Sequence, residues 1–140
     1  KRQDIYRSRK LTNGQLDEVM EKYGSRKLTT IDKYYFTIEK GFVEKVLEEK
    51  NADLAKYMTE IHDCDDYAFA LKGVFSKPPL SKYLVGWARS SNHAYNFFID
   101  YDFNVWLIEP QSNEIIFYED IYKQTDPKYL QRYRITGFIV

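Results

Sequence analysis

The sequence predicts an α+β fold, with helices first and an antiparallel sheet after them. Three observations carry that expectation. Apolar residues recur at helical spacing through the first half of the chain. Helical reading stops at Ser76-Lys77-Pro78-Pro79, where two prolines forbid a further turn. Beyond Pro79 the apolar residues alternate with period two, as in strands. The length of 140 residues suits one domain spanning 1–140.

Taken in order, residues 1–11 hold Lys1, Arg2, Arg7, Arg9 and Lys10 and read as a flexible or peripheral basic segment. Thr12 or Asn13 suits an N-cap, followed by Leu16, Val19, Met20 and Tyr23 at helical spacing until Gly24 ends the helix. Tyr34, Tyr35, Phe36 and Ile38 suit a short strand. A second helix carries Phe42, Val43, Val46 and Leu47 on one face. Asn51 to Met58 reads as a separate short helix, with Leu54, Tyr57 and Met58 inward. A third helix begins around Asp63–Cys64 and runs toward Phe75. The expected strands are Tyr83–Arg89, His93–Ile99, Phe103–Glu109, Glu114–Glu119 and Arg132–Val140. This order of helices and strands is that of an α+β domain.

Composition narrows the function classes. Hydrophobic residues make up 44% and charged residues 30%, which excludes a disordered chain. No apolar run approaches a bilayer span, so no membrane partner is expected. No signal-peptide pattern is present, and a soluble, cytoplasmic setting is expected. The chain opens at Lys1 rather than methionine, which leaves room for residues removed upstream. Twenty-one basic residues balance 21 acidic ones, an arrangement that argues against a dedicated nucleic-acid surface. A single cysteine excludes an internal disulfide, and with two histidines it cannot build a common zinc finger. The 13 Tyr and 9 Phe chiefly serve the core.

The same single cysteine is the first candidate for chemistry. Cys64, Ala68, Leu71 and Phe75 share one helical face, so Cys64 lies on the inward face at the first turn. The dipole and free backbone N–H groups there favour thiolate, which is the nucleophile. The competing reading is an ordinary buried cysteine.

His93 opens a strand whose inward face would be His93, Tyr95, Phe97 and Ile99. With a three-residue loop at Asp100-Tyr101-Asp102, antiparallel pairing sets Ile99 opposite Phe103, Phe97 opposite Val105, Tyr95 opposite Leu107 and His93 opposite Glu109. A one-residue slip would send Glu109 to the other face. A carboxylate beside a histidine fixes its tautomer and stabilises its imidazolium, the third-member role in a Cys-His-acid triad. Gln111 lies on the same face and is an alternative partner for orienting His93. Each residue also has a structural reading: a satisfied histidine and a solvated strand-end carboxylate.

Asp63-Cys64-Asp65-Asp66-Tyr67-Ala68, then Asn92-His93-Ala94-Tyr95-Asn96, then Leu107-Ile108-Glu109-Pro110-Gln111 resembles the papain-like cysteine peptidase domain of the fairy-ring mushroom agglutinin type and related small bacterial and phage proteins. The resemblance covers roughly residues 30–120 and implies a papain-like fold. It implies Cys64 as nucleophile, His93 as general base, Glu109 as its orienting partner, and a peptide or protein substrate. It also implies dependence on calcium, with Asp65 and Asp66 as the matching ligand positions and Glu109 as a possible contributor. Two adjacent acids fall short of the roughly six to eight oxygen ligands calcium takes, and acids in a first helical turn equally complement the dipole. The residues themselves require no cofactor, and calcium stands as what the resemblance implies. No glutamine lies shortly before Cys64, where papain itself places an oxyanion-hole side chain; the backbone N–H of Cys64 and the Asn92 side chain are the candidates. Acyl transfer to an amine would look the same in sequence as hydrolysis. The alternative from a different class is a catalytically inactive papain-like binding or structural module, of viral or mobile-element origin.

Overall fold

The computed structural model describes residues 6–29, 34–61, 64–109 and 112–140, with backbone alone in 26–29, 51–61 and 64–66. Strand β1 (Lys10–Thr12) leads directly into helix α1 (Asn13–Glu21). The sequence explains the junction. Thr12 accepts from the backbone N–H of Gln15, and the Gln15 side chain reaches back to the Thr12 N–H, closing a capping box. Past the last turn, Gly24 takes the left-handed conformation, with φ of 71°.

Strands β2 (Arg26–Thr29) and β3 (Tyr34–Phe36) follow, then helix α2 (Lys40–Ile61) and helix α3 (Cys64–Phe75). The expected break at Asn51 is absent, and α2 runs through it as one helix of 22 residues. No glycine or proline lies between Phe42 and Ile61 to interrupt the ladder. The inward set expected there, Leu54, Tyr57 and Met58, lies outside the described side chains.

The second half holds β4 (Val85–Arg89), β5 (Ala94–Ile99), β6 (Val105–Ile108), β7 (Ile115–Phe117), α4 (Tyr118–Tyr122), α5 (Pro127–Tyr133) and β8 (Gly137–Ile139). Two expected strands are therefore part helix. Glu114–Glu119 turns helical at Tyr118, and the start of Arg132–Val140 belongs to α5. Asp126 caps α5 by accepting from the Lys128 N–H, and Pro127 supplies a pre-set first-turn φ.

Six strands form one sheet in the order β2-β8-β4-β5-β6-β7. All neighbours are antiparallel except β2 with β8. A two-stranded piece pairs β1 with β3. The fold is thus α+β, with both faces of the sheet covered. Val43, Val46 and Leu47 of α2 and Tyr67, Leu71 and Phe75 of α3 pack on Val85, Phe98 and Ile108. On the other face Leu16 and Met20 of α1, Tyr118 and Ile121 of α4, and Tyr133 of α5 pack on Ala88, Tyr95, Phe97, Leu107 and Phe138. Every residue of β5 is buried, as expected for a strand enclosed from both sides.

Close packing leaves no room at Gly86. A Cβ there would strike the Phe97 ring and come within 2.7 Å of the Ile139 carbonyl oxygen. In the described part of the basic opening segment, Arg7, Ser8, Arg9 and Lys10 are exposed. Leu11 is fully buried, and Arg7 pairs with Glu39 at 2.7 Å. Among the described residues no helix is long and apolar enough to cross a membrane.

Candidate active site

The site is built at one end of the sheet, where β5 begins and β6 ends. The β5–β6 turn sets their register. Asp100 accepts from the N–H groups of Asp102 and Asn104, and Phe103 adopts a left-handed φ of 63°. The loop is therefore Tyr101-Asp102-Phe103, one residue later than expected, and Asp100 N–H donates to the Asn104 carbonyl. Phe97 consequently pairs with Leu107, rather than with Val105. This is a shift of two residues, which keeps every side chain on its expected face. His93 and Glu109 are diagonal neighbours instead of direct ones, and they still meet.

His93 Nε2 lies 3.2 Å from Glu109 Oε1 and 3.0 Å from Oε2. Both side chains are buried, at 2% and 7% exposure. A carboxylate oxygen only accepts, so in neutral His93 the proton sits on Nε2 and the lone pair on Nδ1. Glu109 is itself held by a group absent from the sequence reading. The Tyr133 hydroxyl donates to Oε2 at 2.6 Å, and the Tyr95 hydroxyl donates to the Tyr133 carbonyl at 2.6 Å. The Tyr133 ring stands edge-on to His93 at 5.9 Å. Arg132, 41% exposed, brings its guanidinium to 3.9 Å from Oε2. Burial, and then the hydrogen bond to Glu109, push the Tyr133 phenol up to about 12, so it is a neutral donor across the physiological range.

Helix α3 runs along β5 in the same direction. Ala68 packs on Ala94 and Trp87, while Leu71 and Phe75 join Phe98 further along. The Asn96 amide donates to the Ala68 carbonyl at 2.8 Å and fixes this alignment. Cys64, one helical turn before Ala68, therefore begins α3 at the His93 end of β5. Tyr67 ties the helix to the segment after Glu109 by donating to Asn113 Oδ1 at 2.6 Å. The backbone N–H of Asn113 in turn donates to the Glu109 carbonyl. The strand alternation adds a constraint. Ala94, Asn96 and Phe98 face α3, whereas His93 shares the opposite face with Tyr95 and Phe97. A thiol–imidazole contact thus has to pass around the end of β5 rather than across the sheet.

The side chains of Cys64, Asp65 and Asp66, and all of Gln111, lie outside the described residues. Asn92 is exposed and close to Ser90, whose hydroxyl is 3.4 Å from Asn92 Oδ1. The calcium expectation gains nothing from the described donor set. No group of three His, Cys, Asp or Glu is gathered among the described residues, and Glu109 already receives His93 and Tyr133. Trp87 is stacked under the half-exposed Phe69 at 4.8 Å, beside α3. Trp106 lies at the far end of the sheet, donating to Asp100. The role of Tyr133 is hidden in the sequence because Arg132–Val140 reads as a strand; the Asp126-Pro127 pair is the signal that points to α5.

Comparison with family models, with curated proteins and with solved structures gave no match.

Proposed function

We propose that this protein is a cysteine hydrolase, a papain-like peptidase with Cys64 as nucleophile, His93 as general base and Glu109 as the residue orienting His93. His93 Nδ1 takes the thiol proton, and the thiolate attacks an amide carbonyl carbon. The carbon–nitrogen bond then breaks as the imidazolium protonates the leaving amine. Water, or a second amine, cleaves the thioester and restores the thiol. The backbone N–H of Cys64 at the α3 N-terminus and the Asn92 side chain are the donors assigned to the oxyanion. The observation that carries this reading is the buried His93–Glu109 pair, with Nε2 committed to the carboxylate and Nδ1 left as the basic nitrogen. Support also comes from α3, whose first residue is the chain's single cysteine and whose N-terminus lies at the same end of β5.

One observation favours the second reading, an inactive module. His93 is almost fully enclosed and faces away from α3, as a structural histidine would. Release of fluorescent fragments from labelled unfolded casein separates the two. Hydrolysis by the wild type that is lost in Cys64→Ala and His93→Ala supports the peptidase. Equal activity in wild type and Cys64→Ala removes it.

A further inference from the structure

We propose that Tyr133 is a positioning residue of this site, its hydroxyl fixing the Glu109 carboxylate so that it presents a constant acceptor edge to His93 Nε2. The inference rests on the reading of His93 as the general base.

Glu109 needs such a support. It follows the last residue of β6, and its backbone is held where the β6–β7 register closes, its N–H donating to the Glu114 carbonyl and its carbonyl accepting from the Asn113 N–H, so the freedom that remains is in the side chain. Its side chain has three rotatable bonds. The His93 N–H spans both carboxylate oxygens, at 3.0 and 3.2 Å, which does not by itself select one orientation. Tyr133 approaches Oε2 alone, at 2.6 Å, and so breaks that symmetry. Arg132 is a poor substitute, because at 3.9 Å it is beyond hydrogen-bond reach and it is 41% exposed.

Tyr133 is in turn well fixed. It is the last residue of α5, only 8% exposed, and its carbonyl receives the Tyr95 hydroxyl from within β5. Its ring packs edge-on against His93 and tilted against Tyr95 at 5.8 Å. The two tyrosines therefore tie α5 to the strand that carries His93. The phenol remains protonated through the neutral range and is a donor there.

The test uses Tyr133→Phe, which keeps the ring and removes the donor. Its control is Tyr118→Phe, which removes a buried hydroxyl that accepts from the Ile135 N–H and touches neither Glu109 nor His93. Two readouts are taken at a temperature where all variants are folded. The first is the rate of Cys64 alkylation by iodoacetamide at pH 7, specific because the chain has one cysteine. The second is the proton NMR signal of His93 Nε2–H, assigned by its loss in His93→Gln.

Tyr133→Phe is expected to slow alkylation about tenfold, the worth of one charge-assisted hydrogen bond, and to broaden or move the Nε2–H signal. Tyr118→Phe is expected to leave both unchanged despite a similar loss of stability. Equal effects in the two variants, or no effect of Tyr133→Phe on the Nε2–H signal, overturn the positioning role. Equal alkylation of wild type and His93→Ala would instead remove the general-base reading, and the Nε2–H signal would still decide whether Tyr133 positions Glu109.

Discussion

Replacing Glu109 probes the buried network at its centre. Its oxygens receive His93 and Tyr133, and the pair is too enclosed for solvent to screen it. A hydrogen bond to a charged group contributes about 1.5–3 kcal/mol and a neutral one about 0.5–1.5 kcal/mol. Glu109→Gln removes the charge from two such bonds, which amounts to about 2–3 kcal/mol. The exposed Arg132 adds little to this figure. Glu109→Ala goes further, leaving the Tyr133 and His93 donors buried without an acceptor, and is expected to cost about 2–6 kcal/mol at about 1–3 kcal/mol for each orphaned donor. The glutamine also offers an amide N–H where a carboxylate oxygen stood. His93 can then accept at Nε2 with its proton moved to Nδ1, the wrong tautomer for a base aimed at Cys64. Urea unfolding at pH 7 measures the stability change, read at constant slope. A Glu109→Gln protein within about 0.5 kcal/mol of wild type would refute the reasoning, because that is the scatter of ordinary surface changes.

Alkaline stability follows from the tyrosines. Tyr23 and Tyr133 are each pushed from 10 to about 12 with burial the leading cause, so the unfolded chain loses these protons first. Their contribution is constant below about pH 10 and declines from there to about pH 12; Tyr133→Phe should flatten the decline seen in urea midpoints, and an unchanged slope would contradict it. Gly86→Ala is expected to destabilise by about 1–3 kcal/mol, since the new methyl meets the Phe97 ring and a backbone carbonyl. A thermal melt matching wild type would show that β4, β5 and β8 are less tightly packed than described.

Much of the frame was legible because it depends on local rules. The Thr12 cap, the Gly24 stop and the end of α3 before the prolines are each set by side chains a few residues apart. The pairing of His93 with Glu109 was legible for a different reason: face identity survives a register error of two residues. The error itself came from Phe103, a bulky residue in a left-handed conformation that favours small or polar side chains. Strands β1 and β2, three and four residues long, are too short to show a period. Tyr133 reaches Glu109 across 24 positions through α5, a contact that no spacing rule anticipates. The face on which His93 lies relative to α3 was likewise invisible, since it depends on how the helix docks.

The most direct measurement of the central claim is the pH dependence of Cys64 alkylation by iodoacetamide. An ordinary thiol gains reactivity around its pKa of about 8.5. If His93, oriented by Glu109, meets Cys64 around the end of β5, reactivity should persist well below pH 7 and that shoulder should vanish in His93→Ala. A single inflection near 8.5, identical in both proteins, would contradict the account and leave the His93–Glu109–Tyr133 network as part of the scaffold.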